Sequence, residues 1–105
     1  MSVAYFVIGF LLGNGMPHFV FGAAGRTFRS PFGRHSPPRA NLLWGLANFV
    51  AMSLLLAWQA RLARPTAGDL LWLGIGYWVA VALFGLFIRW FLPADSDART
   101  GAERE

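Results

Sequence analysis

The sequence predicts an all-α integral membrane protein, a bundle of three transmembrane helices with its N-terminus outside the cell and its C-terminus in the cytoplasm. Three observations carry this prediction. Hydrophobic residues make up 56% of the 105-residue chain and charged ones only 13%, whereas a soluble domain gives about a quarter of its residues to charge. The apolar residues gather in three runs, each close to the ~20 residues that a helix needs to cross ~30 Å of hydrocarbon. The charged residues lie between and after those runs, and basic ones crowd the first gap.

The first span is expected over about residues 3–25, the second over 42–60 and the third over 70–92. Residues 1–92 then form one transmembrane domain and 93–105 a disordered cytoplasmic tail. Met1-Ser2-Val3-Ala4 brings no positive charge before the first run, so it lacks the basic start of a signal peptide and is expected to be retained. Pro17 lies inside the first span, where a proline removes one backbone hydrogen bond; a kink there would free the carbonyl of Gly13. For the second span, Ser36 reads as an N-cap before Pro37 at the first helical position. Thr66-Ala67-Gly68-Asp69 is a capping-box pattern that opens the third, and Pro93 stops it. Trp44, Trp58, Trp72 and Trp90 fall near span ends, where an indole keeps its ring in hydrocarbon and its N–H among headgroups. The tail mixes Asp95, Asp97, Glu103 and Glu105 with Arg99 and Arg104 and has no apolar face, a composition that does not form a packed core.

Orientation follows from the arginines. The first connection carries Arg26, Arg29, Arg34 and Arg39, the second only Arg61 and Arg64. Positive-inside bias puts the first connection in the cytoplasm; with Arg89, Arg99 and Arg104 the split is seven inside to two outside. All nine basic residues are arginine and the formal net charge is +4, which suits phosphate-bearing surfaces because a guanidinium forks onto two oxygens. Since these arginines flank apolar spans, the expected surface is anionic lipid and not nucleic acid. The first connection, with Ser30-Pro31-Phe32-Gly33 and Ser36-Pro37-Pro38, is turn-rich. Its four arginines are expected to contact lipid headgroups or a partner protein, with Phe28 and Phe32 dipping into the interface.

Polar residues within the spans are few. Asn14 and His18, four apart, share one helix face. Asn41, Gly45, Asn48, Met52 and Gln59 form a stripe on the second span that should look inward. Counting 1.5 Å per residue from the span midpoints puts His18 about 6 Å and Asn48 about 4.5 Å toward the cytoplasm, so His18 is expected to hydrogen-bond Asn48, with Asn14 beside them. No carboxylate lies in any span to complete a proton path, which favours an interhelical bond for His18 over a relay. Gly9 with Gly13, and Gly76 with Ala80, have the small-residue spacing of close helix contacts, expected here between helices of one chain. There is no cysteine, and the imidazoles are His18 and His35 alone. No catalytic constellation, metal site or cofactor is predicted.

Gly13-Asn14-Gly15-Met16-Pro17-His18-Phe19, Ser30-Pro31-Phe32-Gly33-Arg34 and the run from Asn41 to Phe49 resemble a group of small three-span bacterial membrane proteins usually labelled uncharacterised. The resemblance covers roughly the first half of the chain. It implies a multi-pass protein of the bacterial inner membrane and brings no activity with it. The function expected is that of a non-enzymatic accessory or interaction protein, in contact with anionic lipid and with a membrane partner or a second copy of itself. The alternative is a small oligomeric transporter or channel in which Asn14, His18 and Asn48 line a polar path.

Overall fold

The computed structural model describes residues 2–92 and contains three α-helices, α1 (Ser2–Ala23), α2 (Pro38–Leu62) and α3 (Ala67–Phe91). Their 22, 25 and 25 residues extend about 33 to 38 Å at 1.5 Å per residue. All three are long and apolar enough to cross a membrane. Each expected span is present; the largest shift is at the start of α2, which begins at Pro38 and not near residue 42. The expectation of a disordered tail over 93–105 lies outside the described residues.

The helix ends are closed by local chemistry. After α1, Gly25 takes a positive φ of 76°, and the Gly25 and Arg26 amides donate to the carbonyls of Gly22 and Phe21 at 3.1 and 2.8 Å. That pair of bonds is a Schellman closure, which favours glycine at the left-handed position. At the head of α2 the cap sits one residue later than expected, with Pro37 as N-cap and Pro38 at the first helical position. Ser36 does not cap it, because its hydroxyl donates to the Gly33 carbonyl at 2.7 Å and meets the Ser30 hydroxyl at 2.5 Å. At the head of α3 the capping box forms as expected: Thr66 Oγ1 accepts from the Asp69 amide and Asp69 Oδ2 from the Thr66 amide, both at 3.0 Å. α1 runs unbroken through Pro17, and the irregularity lies instead in α3, at Phe87 (φ −115°, ψ 18°).

α1 is the middle helix. It packs on α2 and on α3, and among the described residues those two do not touch each other. One face of α1 carries Gly9 and Gly13, set against Leu73, Tyr77 and Ala80 of α3. Another carries Gly15 and Gly22, set against Gly45 and the segment from Pro38 to Leu42 of α2. A Cβ at Gly9 would come within 1.8 Å of the Leu73 carbonyl oxygen, and one at Gly76 within 2.0 Å of that of Phe6. The α1–α3 contact therefore requires glycine, as small-residue helix crossings in hydrocarbon do. This is the within-chain contact expected for the two small-residue pairs.

The outer faces are apolar at mid-helix: Val50 is 58% and Trp78 68% exposed. The buried large apolar side chains are few, with Tyr5, Ile8, Phe28 and Phe84 the main ones. Such a distribution leaves extended apolar faces that water would not tolerate.

Candidate functional site

The polar side chains of α1 and α2 meet in two rungs across their antiparallel contact. In the first, Asn14 Nδ2 donates to Asn48 Oδ1 at 3.0 Å, and Asn48 Nδ2 donates back to the Trp44 carbonyl at 2.8 Å. In the second, one turn nearer the first connection, His18 Nδ1 bonds Asn41 Oδ1 at 2.8 Å. The expected pairing of His18 with Asn48 is thus corrected: Asn48 belongs to Asn14, and His18 to Asn41. The reason is steric and positional. Gly45, which lies against the backbone of Gly15 and Phe19, offers His18 no side chain, and the next inward position toward the connection is Asn41. Matching partners by depth alone had passed over Asn41, although it lies on the same stripe. The inward stripe itself is present, with Asn41, Gly45 and Asn48 buried and Met52 and Gln59 half-buried.

Asn41 is the hub of this end of the molecule. Its Nδ2 donates to the carbonyls of Phe28 at 2.7 Å and Ser36 at 3.3 Å, so one fully buried amide ties α1, α2 and the connection together. Those two bonds fix the orientation of the amide, because only the NH2 group can donate to carbonyls. Oδ1 is then the atom facing His18, and His18 Nδ1 must carry the proton it donates.

Phe28 does not dip outward as expected. It is fully buried, stacked on Phe21 and Phe91 at centroid distances of 4.7 and 5.2 Å, with His18 edge-on at 5.2 Å. The connection can therefore fold back over the helix ends, and Ser30 and Gly33 close its tip with reciprocal backbone bonds of 3.1 and 3.0 Å. Phe32 stays exposed and sets its ring against Trp44 at 5.9 Å.

Arg29 fastens the connection to α3. Its amide donates to the Phe91 carbonyl at 2.7 Å, its Nε donates to the Trp90 carbonyl at 3.1 Å, and its guanidinium lies 3.7 Å from the centroid of the Trp90 ring. A cation at the carbonyl end of a helix is favoured by the helix dipole and, over an indole, by the ring quadrupole. These bonds bind the turn that follows the irregular residue Phe87 and so hold the last turn of α3 toward the connection.

Between these parts lies a cavity of about 420 Å³. α1 lays its floor with Asn14 and His18, Trp44 of α2 and Trp90 of α3 form walls, and Arg29, Ser30 and Arg34 of the connection stand over it. Of the four arginines expected at headgroups, Arg29 and Arg34 thus share one cavity, while Arg26 and Arg39 lie outside it. Among the described residues neither cavity arginine has a carboxylate partner, since Asp69, at the far end of α3, is the one acidic side chain there. Among the described residues nothing bonds the terminal nitrogens of Arg29 or the guanidinium of Arg34. Two apolar grooves flank the cavity, one sharing Trp44 with it (about 480 Å³, with Leu43 and Ala47) and one sharing Trp90 and Phe91 (about 420 Å³, with Leu83 and Phe87).

The sequence pointed to His18, Asn14, Asn48 and the arginines but gave Asn41 no bond, left Ser30 as a turn residue and read Ser36 as a helix cap. A signal for Asn41 was present, since the position facing His18 on the stripe is a glycine. Among the described residues no group of His, Asp or Glu side chains could hold a metal ion. Compared with known protein families, with curated proteins and with solved structures, the chain gives no match, and its function has to be argued from this geometry.

Proposed function

We propose that this chain is a non-enzymatic, multi-pass accessory protein of the bacterial cytoplasmic membrane that binds anionic lipid at its first connection. The observation that carries this reading is the pair Arg29 and Arg34, without a carboxylate partner among the described residues, over a cavity walled by Trp44 and Trp90. Guanidinium groups near headgroups attract anionic lipid by about 1 kcal/mol each, and tryptophan at the same level is the ordinary marker of a membrane interface. In this reading the N-terminus is outside and the C-terminus inside. Arg26, Arg29, Arg34, Arg39 and Arg89 lie at the end that α1, α2 and α3 share with the first connection, and Arg61 and Arg64 at the other.

The two rungs support an interaction protein over a conduit. Asn14, Asn48, His18 and Asn41 direct their hydrogen bonds at one another and at nearby carbonyls, which stitches helices together in hydrocarbon. The test is native mass spectrometry of the protein released from nanodiscs of mixed zwitterionic and anionic phospholipid. Anionic lipid should be enriched on the wild type, and Arg29→Gln with Arg34→Gln should lose that enrichment. Equal retention of both lipid classes by wild type and variant would refute the proposal.

A further inference from the structure

The cavity holds more than positive charge. His18 Nδ1 is committed as donor to Asn41, so in the neutral ring the other nitrogen, Nε2, carries a lone pair and can only accept. Among the described residues His18 Nε2 makes no hydrogen bond, and His18, its ring edge-on to Phe28, Phe84 and Phe91, lines the cavity. Arg29 and Arg34 offer donors at the rim, and His18 an acceptor at the floor. An occupant that satisfies both carries anionic oxygens at one end and a hydroxyl a short distance away.

We propose that this cavity is a binding site for a glycerol phosphate ester. Its phosphate sits between Arg29 and Arg34, and a glycerol hydroxyl donates to His18 Nε2. The proposal rests on the anionic-lipid reading above and narrows it to one headgroup chemistry. Arg29 is already oriented to receive the phosphate, because stacking on Trp90 and the bond from Nε to the Trp90 carbonyl fix the guanidinium plane and leave its terminal N–H groups to fork onto the oxygens. The volume of about 420 Å³ falls within the range of small-molecule sites, roughly 300–1,000 Å³. An acyl chain attached to the phosphate has an exit on either side, since the walls Trp44 and Trp90 also line the apolar grooves. The same ester group occurs in a membrane phosphatidylglycerol and in free glycerol 3-phosphate.

Competition in native mass spectra separates these sources. The full chain in nanodiscs of phosphatidylcholine receives equal small amounts of phosphatidylglycerol and phosphatidylpropanol, which match in charge and phosphodiester but differ in the headgroup hydroxyls. Phosphatidylglycerol should be retained about fivefold over phosphatidylpropanol. Arg34→Gln, at an exposed side chain with no hydrogen bond among the described residues, should weaken both lipids together, and Arg64→Gln at the other end should change neither. His18→Phe should reduce the preference to about one while anionic lipid is still retained over zwitterionic. Millimolar glycerol 3-phosphate that displaces the lipid would assign the aqueous ester as occupant, and failure to displace it the membrane lipid. Equal retention of the two anionic lipids by the wild type, or a preference that survives His18→Phe, overturns the proposal while leaving the anionic-lipid reading in place. Loss of all selectivity over phosphatidylcholine overturns both.

Discussion

Two glycines two residues apart on α3 give opposite predictions for the same substitution. At Gly76 a Cβ would stand 2.0 Å from the Phe6 carbonyl oxygen and 3.0 Å from the Phe10 amide nitrogen, whereas at Gly74 nothing lies within 4 Å. Alanine stabilises a helix interior by about 1 kcal/mol over glycine, so Gly74→Ala should be neutral or stabilising by up to that amount. Gly76→Ala gains the same propensity term but must push α1 and α3 apart by at least about 1 Å, the difference between 2.0 Å and the 3.0 Å that real Cβ contacts keep. The obstacle is backbone and cannot rotate away. Overpacking of this kind costs about 1–3 kcal/mol, and a rigid neighbour puts Gly76 toward the upper end, for a net loss of roughly 1–2 kcal/mol once the propensity gain is subtracted. The assay is thermal unfolding in one mild detergent, followed by tryptophan fluorescence. Gly76→Ala should melt several degrees below the wild type and Gly74→Ala at or above it. Equal midpoints for the two variants would refute the close α1–α3 contact.

Three further outcomes follow from the same geometry. A double-mutant cycle on His18→Ala and Asn41→Ala should give a coupling of about 0.6–1.7 kcal/mol, the range of interhelical hydrogen bonds in membranes, while His18→Ala and Asn48→Ala should add within about 0.5 kcal/mol; the reverse pattern would restore the pairing that the sequence suggested. Tyr5 is 1% exposed and its hydroxyl has no partner among the described residues, so Tyr5→Phe should stabilise the fold by about 1 kcal/mol by removing a desolvated hydroxyl, and a clear loss of stability would count against that environment. A reporter fused after Glu105 that is active only in the periplasm should stay silent, and its activity would reverse the proposed orientation.

The helices were legible in the sequence because hydropathy and capping are local. Thr66 and Asp69 find each other through one turn of chain, and the inward stripe from Asn41 to Gln59 follows from helical period alone. What the sequence concealed depends on which side chains meet across helices. Depth matched His18 to Asn48 within one residue, yet two polar side chains on α1 competed for that partner, and the glycine at position 45 decided between them. Phe28 misled for a related reason. A phenylalanine between arginines in a turn-rich connection reads as an interfacial residue, and its burial depends on Phe21 and Phe91, which belong to two different helices. The split of the arginines into a cavity pair and an outer pair likewise needed the carbonyls of Trp90 and Phe91 to be in place beside Arg29.

The central claim is that the cavity beside Trp90 receives anionic lipid, and quenching of that indole measures it most directly. A variant that keeps Trp90 as its single tryptophan is placed in vesicles of phosphatidylcholine and phosphatidylglycerol, with bromine carried on the acyl chains of one lipid or the other at equal mole fraction. Trp90 should be quenched more strongly when the bromine is on phosphatidylglycerol. A variant that keeps Trp72 alone, at the opposite end of α3, should not distinguish the two. Equal quenching of Trp90 by both brominated lipids would contradict the account.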